Sequence, residues 1–353
     1  MLAENRRFDA HHNNPCPRPG AAQPMTAPRI RLGVIRNPVS SRNRRDPRGY
    51  GAPLSVPANV ELLIAEPATH ETLDQVLQGF AQCGVNHLVI DGGDGTVRDV
   101  MTLLPAYYPN RLPRISIIPG GNANLAAADV GSHLHGRKAL SALLTSLAVP
   151  GGGRIERRTM LATHRPDGSQ PPIYSFFAGA AALRRGWELA TGSVLDRGLM
   201  HGPAVAVTML GAVWQTLFGG HGNAWQAGTP MAIRVDDGDW QDGSRFIFLA
   251  TGLTRLYRFW PFFDHGDAPL RWLDIDAHPP KLARALPSLV SGNPKPWIRD
   301  SGAYRSGGAR QRIVLKMAEP LIVDGEAQHP DRDGLLELRP GPEIECYLPL
   351  KSS

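Results

Sequence analysis

At 353 residues, 42% of them hydrophobic, the chain is long enough to bury the cores of two ordinary domains, which excludes a single small module. With 38 Lys and Arg against 32 Asp and Glu the net charge is +6, a basic balance that suits phosphate or an anionic membrane surface. No zinc spacing, RNA-binding aromatic pattern or helix-turn-helix signal accompanies the charge, so nucleic acid is set aside as a partner. Cys16, Cys83 and Cys346 stand far apart without a CxxC pair, which speaks against a disulfide framework or a zinc site and implies a reducing compartment.

Residues 1–28 are rich in Pro, Asn, Arg and His and lack the apolar core of a secretory signal; they are expected to form a disordered tail, with Met25 as an alternative start. Ile30–Ile35 then alternates like a strand and ends at Asn37-Pro38. Ser40 and Ser41 follow, within the densest basic run of the chain, Arg36, Arg42, Arg44, Arg45 and Arg48. A solvated loop and a patch for phosphate or membrane fit that run equally well. No helical period appears from Asp46 to Pro57. Val60–Ala65 reads as the next strand, Leu73, Val76, Leu77 and Phe80 mark a helix, and His87–Ile90 is the central strand.

That strand runs into Asp91-Gly92-Gly93-Asp94-Gly95-Thr96. Beyond it Val97, Val100, Met101 and Leu104 recur at helical spacing, with Thr96 expected as N-cap, Asp99 completing a capping box and Pro105 as the stop. Three glycines in this turn let the backbone approach a ligand without a Cβ in the way. N–H groups at a helix start favour an anion, so phosphate is the expected ligand. Asp94 would be repelled by phosphate unless a cation lay between them, and Mg²⁺ is the natural bridge.

Arg114–Pro119 is a further strand, ending in a second glycine turn, Gly120-Gly121-Asn122-Ala123-Asn124. Strands alternating with helices predict a mainly parallel sheet, and two such turns on neighbouring strand ends predict a nucleotide cleft. A helix through Leu140, Leu143, Leu144 and Leu147 leads to Pro150-Gly151-Gly152-Gly153, where the domain boundary is placed. The rest reads as strands: Ile155–Thr163, Tyr174–Phe177, Met231–Val235, Arg245–Ala250, Arg271–Ile275, Arg310–Met317, Leu321–Val323, Leu335–Leu338 and Glu345–Leu350. Asp236-Asp237-Gly238-Asp239 is expected as a solvent-facing hairpin turn. Residues 202–218 carry no formal charge but include Gly202, Pro203 and Gly211. They are short of the roughly 20 apolar residues a membrane span needs, so a buried helix is expected, with the wall of an acyl-chain pocket as the second reading. Asp324-Gly325-Glu326 ends an apolar strand, with both acids expected on one side of it.

Gly92-Gly93-Asp94-Gly95-Thr96 resembles the GGDGT signature shared by diacylglycerol kinases, sphingosine-type kinases, NAD kinases and, loosely, phosphofructokinases. The segment headed by Asn37-Pro38 resembles the NPxSG opening of the diacylglycerol kinase catalytic domain, with Ser41 where glycine is usual. The second turn resembles PxGTxNDFA in Pro119, Gly121, Asn124 and Ala127, and differs in Asn122 and Leu125. Ala65 stands where that family often has a threonine. Asp324-Gly325-Glu326 resembles the DGE of the family's second domain, whose glutamate is assigned as proton acceptor.

The resemblance implies an α/β nucleotide-binding domain of the NAD kinase and diacylglycerol kinase kind at 29–152, followed by a β-rich, sandwich-like lipid-substrate domain at 153–353. It implies ATP- and Mg²⁺-dependent transfer of phosphate to a lipid hydroxyl of the diacylglycerol or sphingoid type. Asn37, Gly92, Gly93, Asp94, Gly95, Thr96, Gly121 and Asn122 would hold the nucleotide, Asp94 the metal, and Glu326 with Asp94 would be catalytic. The expected setting is cytoplasmic, peripheral at the inner membrane on an anionic surface. A noncatalytic binding or regulatory module on the same fold, supported by Ala65, Asn122 and Leu125, and a kinase of a soluble alcohol are the alternatives.

Overall fold

The structure, a computed structural model, describes residues 6–7, 30–194, 228–256 and 260–350. The predicted tail therefore lies almost wholly outside the described residues, and the uncharged stretch 202–218 lies entirely outside them. The chain divides into two compact units, one of residues up to Arg158 together with Ile344 onward, the other Thr159–Glu343.

The first unit is built on strands β1 (Ile30–Arg36), β2 (Val60–Ala65), β3 (His87–Gly92) and β4 (Arg114–Pro119). They pair in parallel in the order β2-β1-β3-β4, with Val34 opposite both Ile64 and Val89, and Ile90 opposite Ile117. These strands are nearly continuous apolar runs because helices cover both faces, as parallel sheets require. On one face α4 (Gly136–Leu147) sends Leu140, Leu143 and Leu144 into a core with Leu32, Val34, Leu62 and Val89. The opposite face takes α1 (His70–Gln82) and α2 (Asp94–Tyr107), which bury Leu77, Phe80, Val97, Met101 and Leu104. Phe80 lies so close to β1 that a Cβ at Gly33 would come within 2.7 Å of its ring. A short helix, α3 (Leu125–Val130), follows the second glycine turn.

The second unit is antiparallel. It contains the second half of β5 (Gly153–His164), then β6 (Ile173–Ser175), β7 (Phe177–Ala181), α5 (Ala182–Val194), β8 (Thr229–Val235), β9 (Ser244–Thr251) and β10 (Leu270–Asp276). It continues through α6 (Leu282–Val290), α7 (Pro296–Asp300), β11 (Tyr304–Ala309), β12 (Ile313–Met317), β13 (Leu321–Val323), β14 (Glu326–Gln328) and β15 (Leu335–Pro349). One run of pairings is β14-β13-β7-β9-β10-β11 and another β15-β12-β8. Apolar residues of both, among them Ala180, Phe248, Leu270, Ile233, Leu315 and Leu336, share one core, the arrangement of a sandwich.

Several expectations are corrected. The strands expected at Leu335–Leu338 and Glu345–Leu350 are one 15-residue strand running through Pro340 and Pro342. Proline cannot donate to a ladder, which is why the sequence reads as broken there. The end of β15 pairs in parallel with β4, Cys346 opposite Ile115, so the last residues belong to the first unit and not to a second domain running unbroken from 153 to 353. Cys83 is disulfide-bonded, against the expectation of three separate thiols, while Cys346 is free and buried. Spacing along a chain says nothing of which sulfurs the fold brings together. No helix among the described residues is long and apolar enough to cross a membrane.

Candidate nucleotide site

The first glycine turn connects β3 to α2, and the helix starts three residues earlier than expected. Gly93 is the N-cap, with extended backbone and no side-chain cap, and the first helical bond runs from Val97 N to Gly93 O at 3.0 Å. Thr96 and Asp99 therefore form no capping box. Asn37 Nδ2 donates to Thr96 Oγ1 at 2.8 Å, and Arg98 donates to Asp99 Oδ1. Pro105 lies inside the helix, which runs on to Tyr107; a proline in the last turn removes one donor without ending the helix at once. Gly93 supplies no side-chain cap to the first N–H groups of α2, the end of a helix that favours an anion.

The second turn packs directly on the first. A Cβ at Gly121 would meet Gly93 Cα at 2.5 Å, and one at Gly92 would meet the Thr96 side chain at 2.6 Å, so both positions demand glycine. Gly95 differs: its missing Cβ would meet nothing within 4 Å. That position therefore faces open space beside the helix start. Asn124 closes the second turn from the left-handed region, φ 52°, accepting from Gly121 N at 2.8 Å and donating to Gly121 O at 2.7 Å. This clamp was named in the sequence only as a motif match, although asparagine is among the few residues that enter that region readily. The side chain of Asn122 makes no hydrogen bond among the described residues, and it is half-buried beside the turn.

Asp94 occupies the first turn of α2, and its Oδ1 accepts from Ala126 N at 3.1 Å. Burial raises its pKa above the ordinary carboxylate value, opposed by the backbone N–H groups of Ala126, Leu125 and Asn124. The carboxylate thus ties the first glycine turn to the start of α3. No group of three or more His, Cys, Asp or Glu able to hold a metal occurs among the described residues, so Asp94 is not part of a protein-only cage. A carboxylate offers about four lone-pair sites, and Mg²⁺ characteristically binds through one or two carboxylates together with substrate phosphates. The donor set fits that second arrangement.

The arginine run is taken apart by the fold. Arg36 is 2% exposed and bonded to Glu66 Oε1 and to the carbonyls of Asn43 and Asp46. Arg42 reaches Nε2 of His135, whose Nδ1 lies 2.9 Å from Pro119 O. Burial, with the charge of Arg42 adding to it, lowers the His135 pKa; the neutral ring with its proton on Nδ1 satisfies both contacts. Arg44, Arg45 and Arg48 remain exposed.

Hollows lie at both ends of the strands. A cleft of about 160 Å³ at the carboxyl ends of the strands is lined by Asn37, Thr69, His70, Thr96 and Asp99. The larger one, about 1060 Å³, lies at the amino ends, beside Asn59, Asn86, Tyr108, Arg111 and Arg114. Ligands of parallel sheets gather outside the carboxyl ends, where free N–H groups converge, so position outweighs size here.

In the second unit Asp324 and Gly325 both have positive φ, 43° and 84°, and form the two-residue turn between β13 and β14, with Val323 opposite Glu326. Asp-Gly is the strongest signal for such a turn. The expected common side for Asp324 and Glu326 is therefore corrected, since the chain reverses between them. Asp324 accepts from Phe176 N at 2.9 Å and Phe177 N at 3.0 Å, while Glu326 is exposed. Asp236 is likewise drawn inward from its expected solvent-facing turn, accepting from the N–H groups of Arg310, Gln311 and Arg312.

Residues 31–150 match the family model of the diacylglycerol kinase catalytic domain. No curated protein sequence matches the chain. Among solved structures, a diacylglycerol kinase from Bacillus anthracis str. Sterne superposes with a TM-score of 0.56 at 14% identity, over 89% of this chain and 96% of that one. Two further structures from the same organism, assigned to the diacylglycerol kinases, give TM-scores of 0.61 and 0.57 at 14% and 17% identity, over 91% and 89% of this chain and 98% and 96% of theirs. The match over residues 31–150 covers the α/β unit with its paired glycine turns, and the α/β unit followed by a β-rich unit has the fold of these solved structures.

Proposed function

We propose that the protein transfers the terminal phosphoryl group of ATP to a hydroxyl of a diacylglycerol- or sphingoid-type lipid, with Mg²⁺ carried in on the nucleotide. The observation that carries this reading is the contact between the two glycine turns, Gly93 against Gly121, beside the open space at Gly95. Phosphoryl transfer asks chiefly for positioning and charge neutralisation, and backbone N–H groups supply both without side chains in the way. In this reading the first N–H groups of α2 and the amide of Asn122 hold the phosphates, and Asn37 and Thr96 line the adjoining cleft. Mg²⁺ would supply charge neutralisation between the phosphates, with Asp94 as the residue to hold it. Glu326, exposed on its hairpin, would accept the proton of the acceptor hydroxyl, a role that typically contributes about 10²–10⁴-fold.

Peripheral association with an anionic membrane belongs to the same proposal. Arg44, Arg45 and Arg48 are the exposed remnant of the basic run and would carry its electrostatic part. Incubation of the purified chain with γ-labelled ATP, MgCl₂ and a panel of lipid extracts tests the function. Label in a lipid fraction is the expected result. Label only in soluble alcohols would replace the acceptor, and ATP binding without transfer would leave a binding module.

A further inference from the structure

One residue before the first glycine turn, Asp91 is completely buried at the end of β3. Its Oδ2 accepts from Tyr50 Oη at 2.6 Å and its Oδ1 from Asn43 Nδ2 at 3.0 Å, while Arg36 Nε stands 3.7 Å from Oδ2. Tyr50, Asn43 and Arg36 are themselves buried. A carboxylate withdrawn from water with one arginine at that distance is costly, and well-packed apolar residues usually stabilise as much or more. Stability alone gives little reason for this choice.

What the cluster holds does give one. Residues 37–54 contain no regular element except the single 3₁₀ turn Asn43–Arg45, so no ladder sets their position. Asp91 sets it with main chain and side chain together, its carbonyl accepting from Asn37 N at 2.9 Å and from Asn43 Nδ2 at 3.2 Å. Asn37 in turn holds Thr96 of the first turn. The second turn rests on the same atoms. A Cβ at Gly120 would lie 3.0 Å from Asn43 Nδ2 and 3.1 Å from Asp91 Oδ1, Gly120 N donates to Gly92 O at 2.8 Å, and Gly120 O accepts from Arg42 N at 2.9 Å. Loop, first turn and second turn therefore converge on one buried carboxylate.

We propose that Asp91, with Tyr50, Asn43 and Arg36, is a positioning set that fixes the two glycine turns and the loop 37–50 at the spacing needed to bind the phosphates of a nucleotide. The proposal rests on the phosphate-binding reading of the turns. The set touches no reacting atom; it acts through Gly92, Gly120, Asn37 and Thr96. Small shifts of such N–H donors are expensive because a bound anion needs several of them at once.

The test measures equilibrium binding of ATP with MgCl₂ to the full chain, and KM against kcat for ATP, in Tyr50→Phe, Asp91→Asn and the double variant. Asp274→Asn, a substitution at a buried carboxylate of the second unit, serves as the stability control. Tyr50→Phe is expected to weaken ATP binding several-fold and Asp91→Asn about tenfold, in KM more than kcat, with the double variant less than additive because the two side chains share one bond. Asp274→Asn should lower the melting temperature and leave ATP affinity unchanged. The proposal is overturned if folded Tyr50→Phe and Asp91→Asn bind ATP like the wild type and lose only melting temperature. Should Asp91→Asn fail to fold, Tyr50→Phe decides alone, since it removes a single hydroxyl. Gly95→Val separates the two readings: if it abolishes ATP binding while Tyr50→Phe leaves it intact, the turns bind phosphate and the positioning set falls. A wild-type chain that binds no ATP ends both.

Discussion

Two carboxylates, Asp91 in the first unit and Asp274 in the second, are equally withdrawn from water and are held in opposite ways. Asp274 lies within the sheet. Arg245 of β9 approaches its Oδ1 at 3.3 Å and Arg305 of β11 its Oδ2 at 2.6 Å, and Asp276 on the same strand shares both arginines. Two positive and two negative charges cancel across three neighbouring strands whose register the backbone ladders already determine. Burial raises the Asp274 pKa against the charges of Arg305 and Arg245. At Asp276 burial is outweighed by hydrogen bonds and charge from Arg305 and Arg245, which leave its pKa lowered. Asp91 has one more distant arginine and two neutral donors, all supplied by β1 and the irregular loop after it. Burial raises its pKa in spite of the hydrogen bonds from Tyr50 and Asn43, and burial next to Asp91 raises that of Tyr50. Buried charge held by strands reinforces a register that exists without it, whereas buried charge held by a loop helps to define a position that no backbone ladder sets.

The comparison can be broken most directly at Asp274. Removing one member of a buried charge set typically costs about 3–5 kcal/mol. Urea unfolding of Asp274→Ala should show a loss of that order, with a normal ATP KM for the molecules that remain folded; an altered KM would make this cluster part of the site as well. The exposed Glu326 gives the opposite expectation. Glu326→Gln should keep stability and ATP affinity and lose about 10²–10⁴-fold in turnover if it is the base, and near wild-type transfer would reduce the Asp-Gly-Glu segment to a turn.

Asp94 stands between these cases, because it is both a tie to α3 and the expected metal holder. Asparagine can still accept from Ala126 N, so Asp94→Asn should stay folded while turnover drops by more than tenfold, about 1.4 kcal/mol in the barrier. Retention of more than a tenth of the wild-type rate would leave the structural tie as its whole role. An effect confined to acid pH is expected at His87, which is 2% exposed, with Nε2 2.9 Å from Ser116 Oγ. Burial and the charge of Arg114 lower its pKa from 6.5 to about 3. The unfolded chain therefore binds this proton first. The contribution is complete above the unfolded value and is lost as pH falls from there toward the folded value, at up to about 1.4 kcal/mol per pH unit. Unfolding of His87→Gln across this range should show a shallower slope than the wild type, and identical slopes would assign the acid sensitivity to other groups. The smallest expected effect is at the surface: Arg45→Gln with Arg48→Gln should weaken flotation with anionic liposomes at low salt and make little difference at high salt, where exposed charges are screened over a few Å. Flotation indifferent to lipid charge would remove this loop from membrane binding.

Much of the first unit was legible in the chain itself. Short apolar strands, helices at i, i+3, i+4 spacing and glycine turns at strand ends are local signals, because steric freedom and periodic burial act within a few residues of one another. Leu140, Leu143 and Leu144, the parallel direction of the strands and the two turns were found in this way, but not the order of the strands. Less of the second unit could be read. Helices α5, α6 and α7 and strand β11 were not read from the sequence: in α6 Leu282, Ala285 and Leu289 do recur at helical spacing, but Pro287 inside it argued against the helix that their burial stabilises.

Sequence by itself determined the residue types that chemistry needs: glycines where a Cβ cannot stand, an aspartate inside the turn, and an Asp-Gly pair that reverses a strand. Only the tertiary structure decided what each charge does. The five arginines of 36–48 look alike in the chain, yet one is buried against Glu66 and Asp91, one meets His135, and Arg44, Arg45 and Arg48 stay in water. Asp91 looks like an ordinary strand end until Tyr50, forty-one positions earlier, donates to it. Local sterics are written in neighbouring residues, whereas the energy of a buried charge depends on partners that folding brings from far along the chain.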